Sequence, residues 1–185
     1  MKHFGINSAH RLAANRQLQL LKMTIREYKL GDKEKCLEVF KSNCPKFFDK
    51  SELEMFDKWL DHQVSEHVIY QSPTYANSEK DAYYVVEVPE FGIIGCGGFY
   101  IVKGLNEARL AWGMIDAKFH RKGFGTALYH YRREIIKRDW PNHVLTLGTS
   151  QHTYSFYVKM GLTVTAILKS GYGEDLDRYD MKKQL

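Results

Sequence analysis

The chain has 185 residues, 44% hydrophobic and 14% aromatic, with a formal net charge of +5. That length suits one domain with a substantial core, and the composition excludes a disordered or collagen-like chain. No apolar run approaches the roughly 18 residues that span a bilayer, so no membrane partner is expected.

Four of the five net charges lie in residues 1–22, where Lys2, Arg11, Arg16 and Lys22 stand without an acid, leaving +1 for residues 23–185. A nearly neutral remainder argues against a nucleic-acid surface. The basic segment could be a presequence, an accessory helix built on Leu12, Leu18, Leu20 and Leu21, or an extension before a domain starting at Met23. It is read as an accessory extension, with the domain occupying residues 23–185. Cys36, Cys44 and Cys96 are odd in number and lack metal spacing, which predicts reduced thiols and a cytoplasmic location. The histidines show no zinc-ligand spacing, so no metal is expected; His62 and His67 are read as facing solvent.

Thr24–Lys29 reads as a first strand. Asp32 then caps a helix carrying Leu37, Phe40 and Cys44 on one face, stopped by Pro45. Ser51 and Glu54 suggest a capping box before a second helix with Leu53, Phe56, Leu60 and Val64 at helical spacing. A loop over Tyr70–Lys80 leads to strands at Tyr83–Val88, Ile93–Val102 and Ala108–Ile115, joined by tight turns. A helix from Gly123 to about Arg138 follows, its basic residues Arg132, Arg133, Lys137 and Arg138 suiting the negative end of the dipole. Then come a strand at Val144–Thr149 and a short helix Ser150–Met160, capped by Ser150 and closed by Gly161. Strands at Leu162–Leu168 and Arg178–Lys182 end the chain, separated by a Gly171-Tyr172-Gly173 turn.

The most informative stretch is His120-Arg121-Lys122-Gly123-Phe124-Gly125-Thr126, between a strand and a helix. Two glycines one residue apart let the backbone turn tightly and let a ligand approach without meeting a Cβ. The helix aims unpaired N–H groups and the positive end of its dipole at that ligand. No acid occurs between Asp116 and Glu134, while Lys118, Arg121 and Lys122 crowd the helix start. This describes an anion site for a phosphate-bearing cofactor. It lacks the Gly-Lys-Ser/Thr ending of a nucleotide P-loop and the three-glycine spacing of a dinucleotide fingerprint.

These residues and this element order resemble the GNAT superfamily of acyl-CoA-dependent N-acetyltransferases, over roughly residues 23–185. Phe119–Gly125 resembles the family's Arg/Gln-x-x-Gly-x-Gly/Ala pyrophosphate loop, and Phe156–Leu162 its Leu-Tyr-x-Lys-x-Gly-Phe segment. Ala111–Met114, Thr149–Thr153 and Gly171–Met181 are similar to segments of a bacterial subgroup. The resemblance implies an α/β (α+β) fold with a central mixed, mostly antiparallel sheet of about seven strands flanked by helices. It implies acetyl-CoA as co-substrate, bound by Ile115, His120, Arg121, Lys122, Gly123, Phe124, Gly125, Thr126, Ser150 and Tyr157. It also implies direct acetyl transfer in a ternary complex to a small-molecule or peptide amine, with a homodimer open as the assembly. Cys36, Cys44 and Cys96 have no positional case as an acetyl carrier.

Three departures stand out: His120 in the usual Arg/Gln position, Ser150 and Thr153 in place of Asn and Ala, and no Glu in Val144–Thr149. They leave the general base open and keep alive a non-catalytic acyl-CoA-binding regulatory module. Transfer to an amine requires loss of a proton that an alkyl amine holds up to about pH 10.4. It also requires an oxyanion donor, expected on the backbone around Trp112–Ile115, and a proton for the leaving thiolate. Tyr157 is the candidate acid, Glu107 and His152 candidates for base or relay, and Asp116 a support of the loop. Glu174, Asp175 and Asp177 form an acidic turn that could attract a cationic amine.

Overall fold

The computed structural model describes residues 13–14, 17–20, 22–65, 75 and 78–185, and seven strands organise it. They are β1 (Thr24–Glu27), β2 (Ser78–Val88), β3 (Gly92–Val102), β4 (Glu107–Ile115), β5 (Val144–Ser150), β6 (Thr163–Gly173) and β7 (Leu176–Gln184). Their order is β1-β2-β3-β4-β5-β7-β6, with β4 and β5 parallel and the other neighbours antiparallel. The helices are α1 (Lys33–Asn43), α2 (Leu53–His62), α3 (Phe124–Asp139) and α4 (Tyr154–Lys159). The expected mixed, mostly antiparallel sheet flanked by helices is what forms.

Strands β2 and β3 are apolar on both sides because the sheet is covered on both. Alternate side chains point to opposite faces. Tyr83, Val85, Cys96 and Tyr100 meet Phe40 of α1 and Phe56, Trp59 and Leu60 of α2. On the other face Tyr84, Phe99, Ile101, Leu145 and Leu147 meet Tyr129 and Ile136 of α3 and Tyr157 of α4. A third cluster joins Val86, Val88 and Ile94 to Phe124 and Leu128, with Leu20 and Met23 packed against it. Leu18 is exposed, and Lys22 pairs with Glu90 at 3.6 Å. Leu12, Leu21 and His67 lie outside the described residues, as does most of the expected 70–80 loop.

Several local expectations are corrected. Asp32 precedes α1, but its carboxylate makes no cap bond to the helix; it accepts from the Lys29 N–H at 2.9 Å and from Arg26. The capping box uses Asp49 and Glu52, not Ser51 and Glu54, because a 3₁₀ turn over Lys50–Glu52 precedes α2. Val64 falls beyond α2 and is exposed. His62 is not a solvent residue: its Nε2 lies 3.0 Å from Asp81 Oδ2, and Tyr75 joins them. Helix α4 starts four residues later than expected, with Thr153 as N-cap, while Ser150 ends β5 and accepts from the Thr153 N–H. Gly171-Tyr172-Gly173 continues β6, and the chain reverses at Glu174-Asp175, where Asp175 takes φ +59°.

Candidate active site

The site begins with a fault in the sheet. Cys96 pairs with Met114 but Gly98 pairs with Ala111, so Trp112 and Gly113 stand opposite Gly97 alone. This β-bulge puts Trp112 at φ +47°, a conformation that costs a non-glycine residue about 1–3 kcal/mol. Surrounding packing holds it there. The Tyr83 hydroxyl donates to the Trp112 carbonyl at 3.0 Å, and the indole lies against Phe48 and Phe56. β4 and β5 part company before the bulge is reached. Their parallel pairing covers Glu107–Arg109 with Val144–Thr146, while β7 pairs with β5 along its whole length, Val144–Ser150. A gap therefore opens between the C-terminal halves of two parallel strands, leaving that edge of β4 without a β5 partner.

At the end of β4 the chain turns through Ala117–Phe119 and enters α3 by way of left-handed Arg121 (φ +59°) and Gly123 (φ +96°). Gly123 is the N-cap, no side chain caps the helix, and its first turn carries no acid. The first N–H groups of such a helix have no intrahelical acceptor. Phe124 is buried and anchors the helix start, so the contribution it offers a ligand is its backbone N–H. Gly125 leaves that surface open: a Cβ there would come no nearer than 3.8 Å to Ile115. Lys122 lies 4.8 Å from the Phe119 ring, Arg121 is exposed, and Thr126 is half-buried in the first turn.

Asp116 accepts from the Lys118 N–H at 2.9 Å, so it supports this loop as expected. His120 also faces inward. Its Nε2 donates to the Ile115 carbonyl at 2.7 Å in the tautomer protonated there, and Asn43 Nδ2 donates to the same oxygen at 2.9 Å. The Ile115 carbonyl is thus committed to the protein. Phe47 packs edge-on against both His120 and exposed His152.

Ser150, at the gap end of β5, is 3% exposed and its hydroxyl has no partner among the described residues. An orphaned buried hydroxyl is a group that a bound molecule could satisfy. Tyr157 is buried on α4, edge-on to Tyr129. Glu107 is differently placed. Its Oε1 accepts from Thr146 Oγ1 at 2.6 Å and pairs with Arg109 Nη2 at 3.0 Å, where β4 and β5 are still joined. At roughly 3.3 Å per residue, it stands about 13 Å along the strand from Ala111 at the bulge.

Two residues were missed by sequence reasoning. Arg132 is not part of the basic helix end; it is 2% exposed and lies against the bulge. Its Nη1 donates to the Gly98 carbonyl at 3.1 Å and its Nε to the Leu128 carbonyl at 3.2 Å. Burial lowers its pKa, with Tyr157 the largest opposing influence.

The second is Glu52. Its Oε1 accepts from the Asp49 N–H at 2.8 Å, and burial is the main force pushing its carboxyl up to about 7. Asp49 opposes this as hydrogen-bond donor and adds to it as a neighbouring anion. Only the spacing Asp49-x-x-Glu52 marked the position in sequence, and Ser51-x-x-Glu54 competed with it.

Glu52 lies where the α1–α2 turn meets the β6–β7 hairpin. A Cβ on Gly173 would sit 3.0 Å from Asp49 Oδ2. Tyr172, beside it, reaches across β5 so closely that a Cβ on Gly148 would collide with its hydroxyl. Burial, foremost, and the Glu52 and Asp180 charges raise the Tyr172 pKa, while Arg178 and Arg109 oppose them. Of the acidic turn, Asp177 is unavailable, since it is buried and bonded to Lys169 and the Ser170 N–H. Arg178 pairs with Asp180 at 2.8 Å, leaving Glu174 and Asp175 exposed.

Comparison with solved structures identifies this architecture. The chain has the fold of the GNAT acetyltransferases. It is similar to a protein assigned to that family from Desulfovibrio desulfuricans, at 17% identity and TM-score 0.68, covering 88% of this chain and 98% of that one. It is also similar to spermidine N-acetyltransferase from Vibrio cholerae in complex with CoA and spermine, at 14% identity and TM-score 0.63, covering 88% and 95%. A third similar structure is aminoglycoside 6'-N-acetyltransferase from Enterococcus faecium, at 15% identity and TM-score 0.60, covering 86% and 96%. No protein-family model and no curated protein sequence matches the chain.

Proposed function

We propose that the protein is an N-acetyltransferase that moves the acetyl group of acetyl-CoA to a small primary amine by direct attack in a ternary complex. The observation that carries this reading is the β4–β5 gap, which runs past the Trp112–Gly113 bulge and ends at the uncapped, acid-free start of α3. The backbone of residues 120–126 would hold the pyrophosphate, and Ser150 would meet the chain that runs into the gap. Similar structures hold CoA and act on spermidine or aminoglycosides, which supports a small cationic acceptor.

In this reading the amine enters beside Tyr172 and gives its proton to Glu52, a carboxylate suited to the task near neutral pH. The neutral amine attacks the thioester carbon, and a freed N–H on the β4 edge meets the oxyanion. As the C–S bond breaks, Tyr157 supplies the proton that the thiolate takes. Glu107 has no part in proton transfer, being held by Arg109 and Thr146. The test is calorimetric titration with acetyl-CoA followed by thiol release across a panel of polyamines, amino sugars and peptides. Micromolar binding with amine-dependent thiol release is expected. Binding without release from any amine would identify the regulatory module instead.

A further inference from the structure

We propose that the outer edge of β6 is the surface by which two copies of this chain associate, β6 of one copy pairing antiparallel with β6 of the other about a two-fold axis at Ile167. The inference is independent of the acetyltransferase reading and concerns a surface that reading does not use.

The edge is long and apolar. β6 ends the sheet, bonded to β7 on one side and to no strand on the other among the described residues. Eight consecutive residues, 163–170, are exposed. Ile167 is 54% and Leu168 58% exposed, and Val164 and the α4 residue Val158 are also open to solvent. Such an edge offers unpaired N–H and C=O groups to any strand that comes alongside. Its Thr, Val and Ile residues favour the extended conformation, and no proline interrupts it. The opposite edge of the sheet is blunted: β1 has four residues, and its Arg26 is tied to Asp32 and Glu87.

A second copy is the occupant that fits. Residues directly opposite across antiparallel strands share a face. Ile167 pairs with Tyr179, which stacks on Tyr154, so it lies on the α4 face; Ala166 and Leu168 pair with Asp180 and Arg178 and lie on the other. With Ile167 meeting Ile167 across the axis, Ala166 falls against Leu168, a small side chain against a large one. Lys169 then falls opposite Thr165. The two lysines stand about 13 Å apart along the strands, at roughly 3.3 Å per residue, and each is already neutralised by Asp177 of its own hairpin at 2.8 Å. Parallel pairing in register would instead set Lys169 beside Lys169, which is unfavourable. Pairing β6 with β1 of the next copy would engage only four residues and would not close. The area suits a reversible dimer. Eight residues span about 26 Å, and the sheet with α4 on one face is about 20 Å deep. That gives on the order of 500 Å² per copy and 1,000 Å² in all, the low end of specific interfaces.

Sedimentation equilibrium on the full chain should show the mass doubling between about 1 and 100 µM, as expected of an interface of this size. Hydrogen exchange at the two ends of that range should slow the amides of residues 163–170 at least about fivefold in the concentrated sample. I167E sets two carboxylates face to face and should weaken association at least about 100-fold. Its far-UV circular dichroism should match wild type, because the side chain it replaces is half-exposed. I167K alone should act in the same way, and mixing I167E with I167K should restore the dimer, since the opposite charges then meet across the axis. A wild-type mass that stays constant to the highest concentration, a dimer that I167E leaves intact, protection confined to another segment, or a mixture that stays monomeric overturns the inference. A monomer whose β6 amides are protected only by an added extended peptide also overturns it, in favour of a peptide-binding edge. Acetyl-CoA binding and thiol release, measured separately, decide the enzyme reading whatever the state of association.

Discussion

Glu52→Gln should make the protein more stable and less active, and the two effects should share one pH dependence. The carboxyl sits at the junction of the α1–α2 turn and the β6–β7 hairpin. Burial is the main force raising it from its ordinary 4.5 to about 7. The sign follows directly. A carboxyl raised by folding favours the protonated folded state, so its contribution is fully present below about pH 4.5. It is lost as pH rises through about 7. The rise is worth at most about 3.4 kcal/mol, and residual solvent at the partly exposed side chain discounts that to roughly 1.5–2.5 kcal/mol. Glutamine stays neutral and can still accept the Asp49 N–H. Chemical denaturation should therefore show E52Q equal to wild type at pH 4 and more stable by that amount at pH 8. Steady-state kinetics should show wild-type kcat/KM rising to a plateau above about pH 7, with E52Q losing the inflection and about 100-fold of the plateau. An unchanged pH–rate profile would remove Glu52 from the chemistry. A stability difference that is the same at both pH values would refute the burial argument itself.

Three further outcomes are expected. Gly125→Leu should raise the dissociation constant for acetyl-CoA at least about 10-fold with little change in melting temperature, because the first side-chain atom meets ordinary contacts and the rest covers the helix start; calorimetry and thermal melting check this together. Gly123→Ala should instead cost the fold about 1 kcal/mol or more, since alanine is strained at φ +96°, as a denaturant midpoint would show. Neutralising Glu174 and Asp175 together should lower kcat/KM for a polyamine about two- to fivefold at low salt and leave no difference at high salt; a ratio of one at low salt excludes recruitment by the turn.

What could be read in the sequence was local. The glycine loop and its acid-free helix start stand in one short stretch, and β2 and β3 are apolar runs joined by a tight turn, so both needed no tertiary information. Element ends were harder. Ser51-x-x-Glu54 and Asp49-x-x-Glu52 are equally good capping patterns, and the buried environment of Glu52 decides between them. Ser150 satisfied the rule for a helix N-cap, but pairing with Arg178 on β7 keeps it in β5. Glu107 was a candidate because nothing in its own stretch of sequence shows that Arg109, two residues on, and Thr146 of the neighbouring strand are its partners.

Arg132 was the hardest residue to see, and the reason is instructive. On a helix rich in Arg and Lys its identity carries no information; its surroundings come from Gly97 and Gly98 on β3 and Gly113 on β4. The same bulge accounts for both halves of the site. One extra residue in β4 turns Trp112 toward Phe48 and Phe56, on the face where the amine would approach. It places Gly113 toward the opposite face, where the space it leaves admits a guanidinium. A side chain at position 113 would crowd the Arg132 guanidinium, its Cβ lying 3.0 Å from Nη1 and Nη2. Turning the Trp112 indole toward one face and admitting a guanidinium on the other are therefore consequences of a single local irregularity, written in the sequence as Trp112-Gly113.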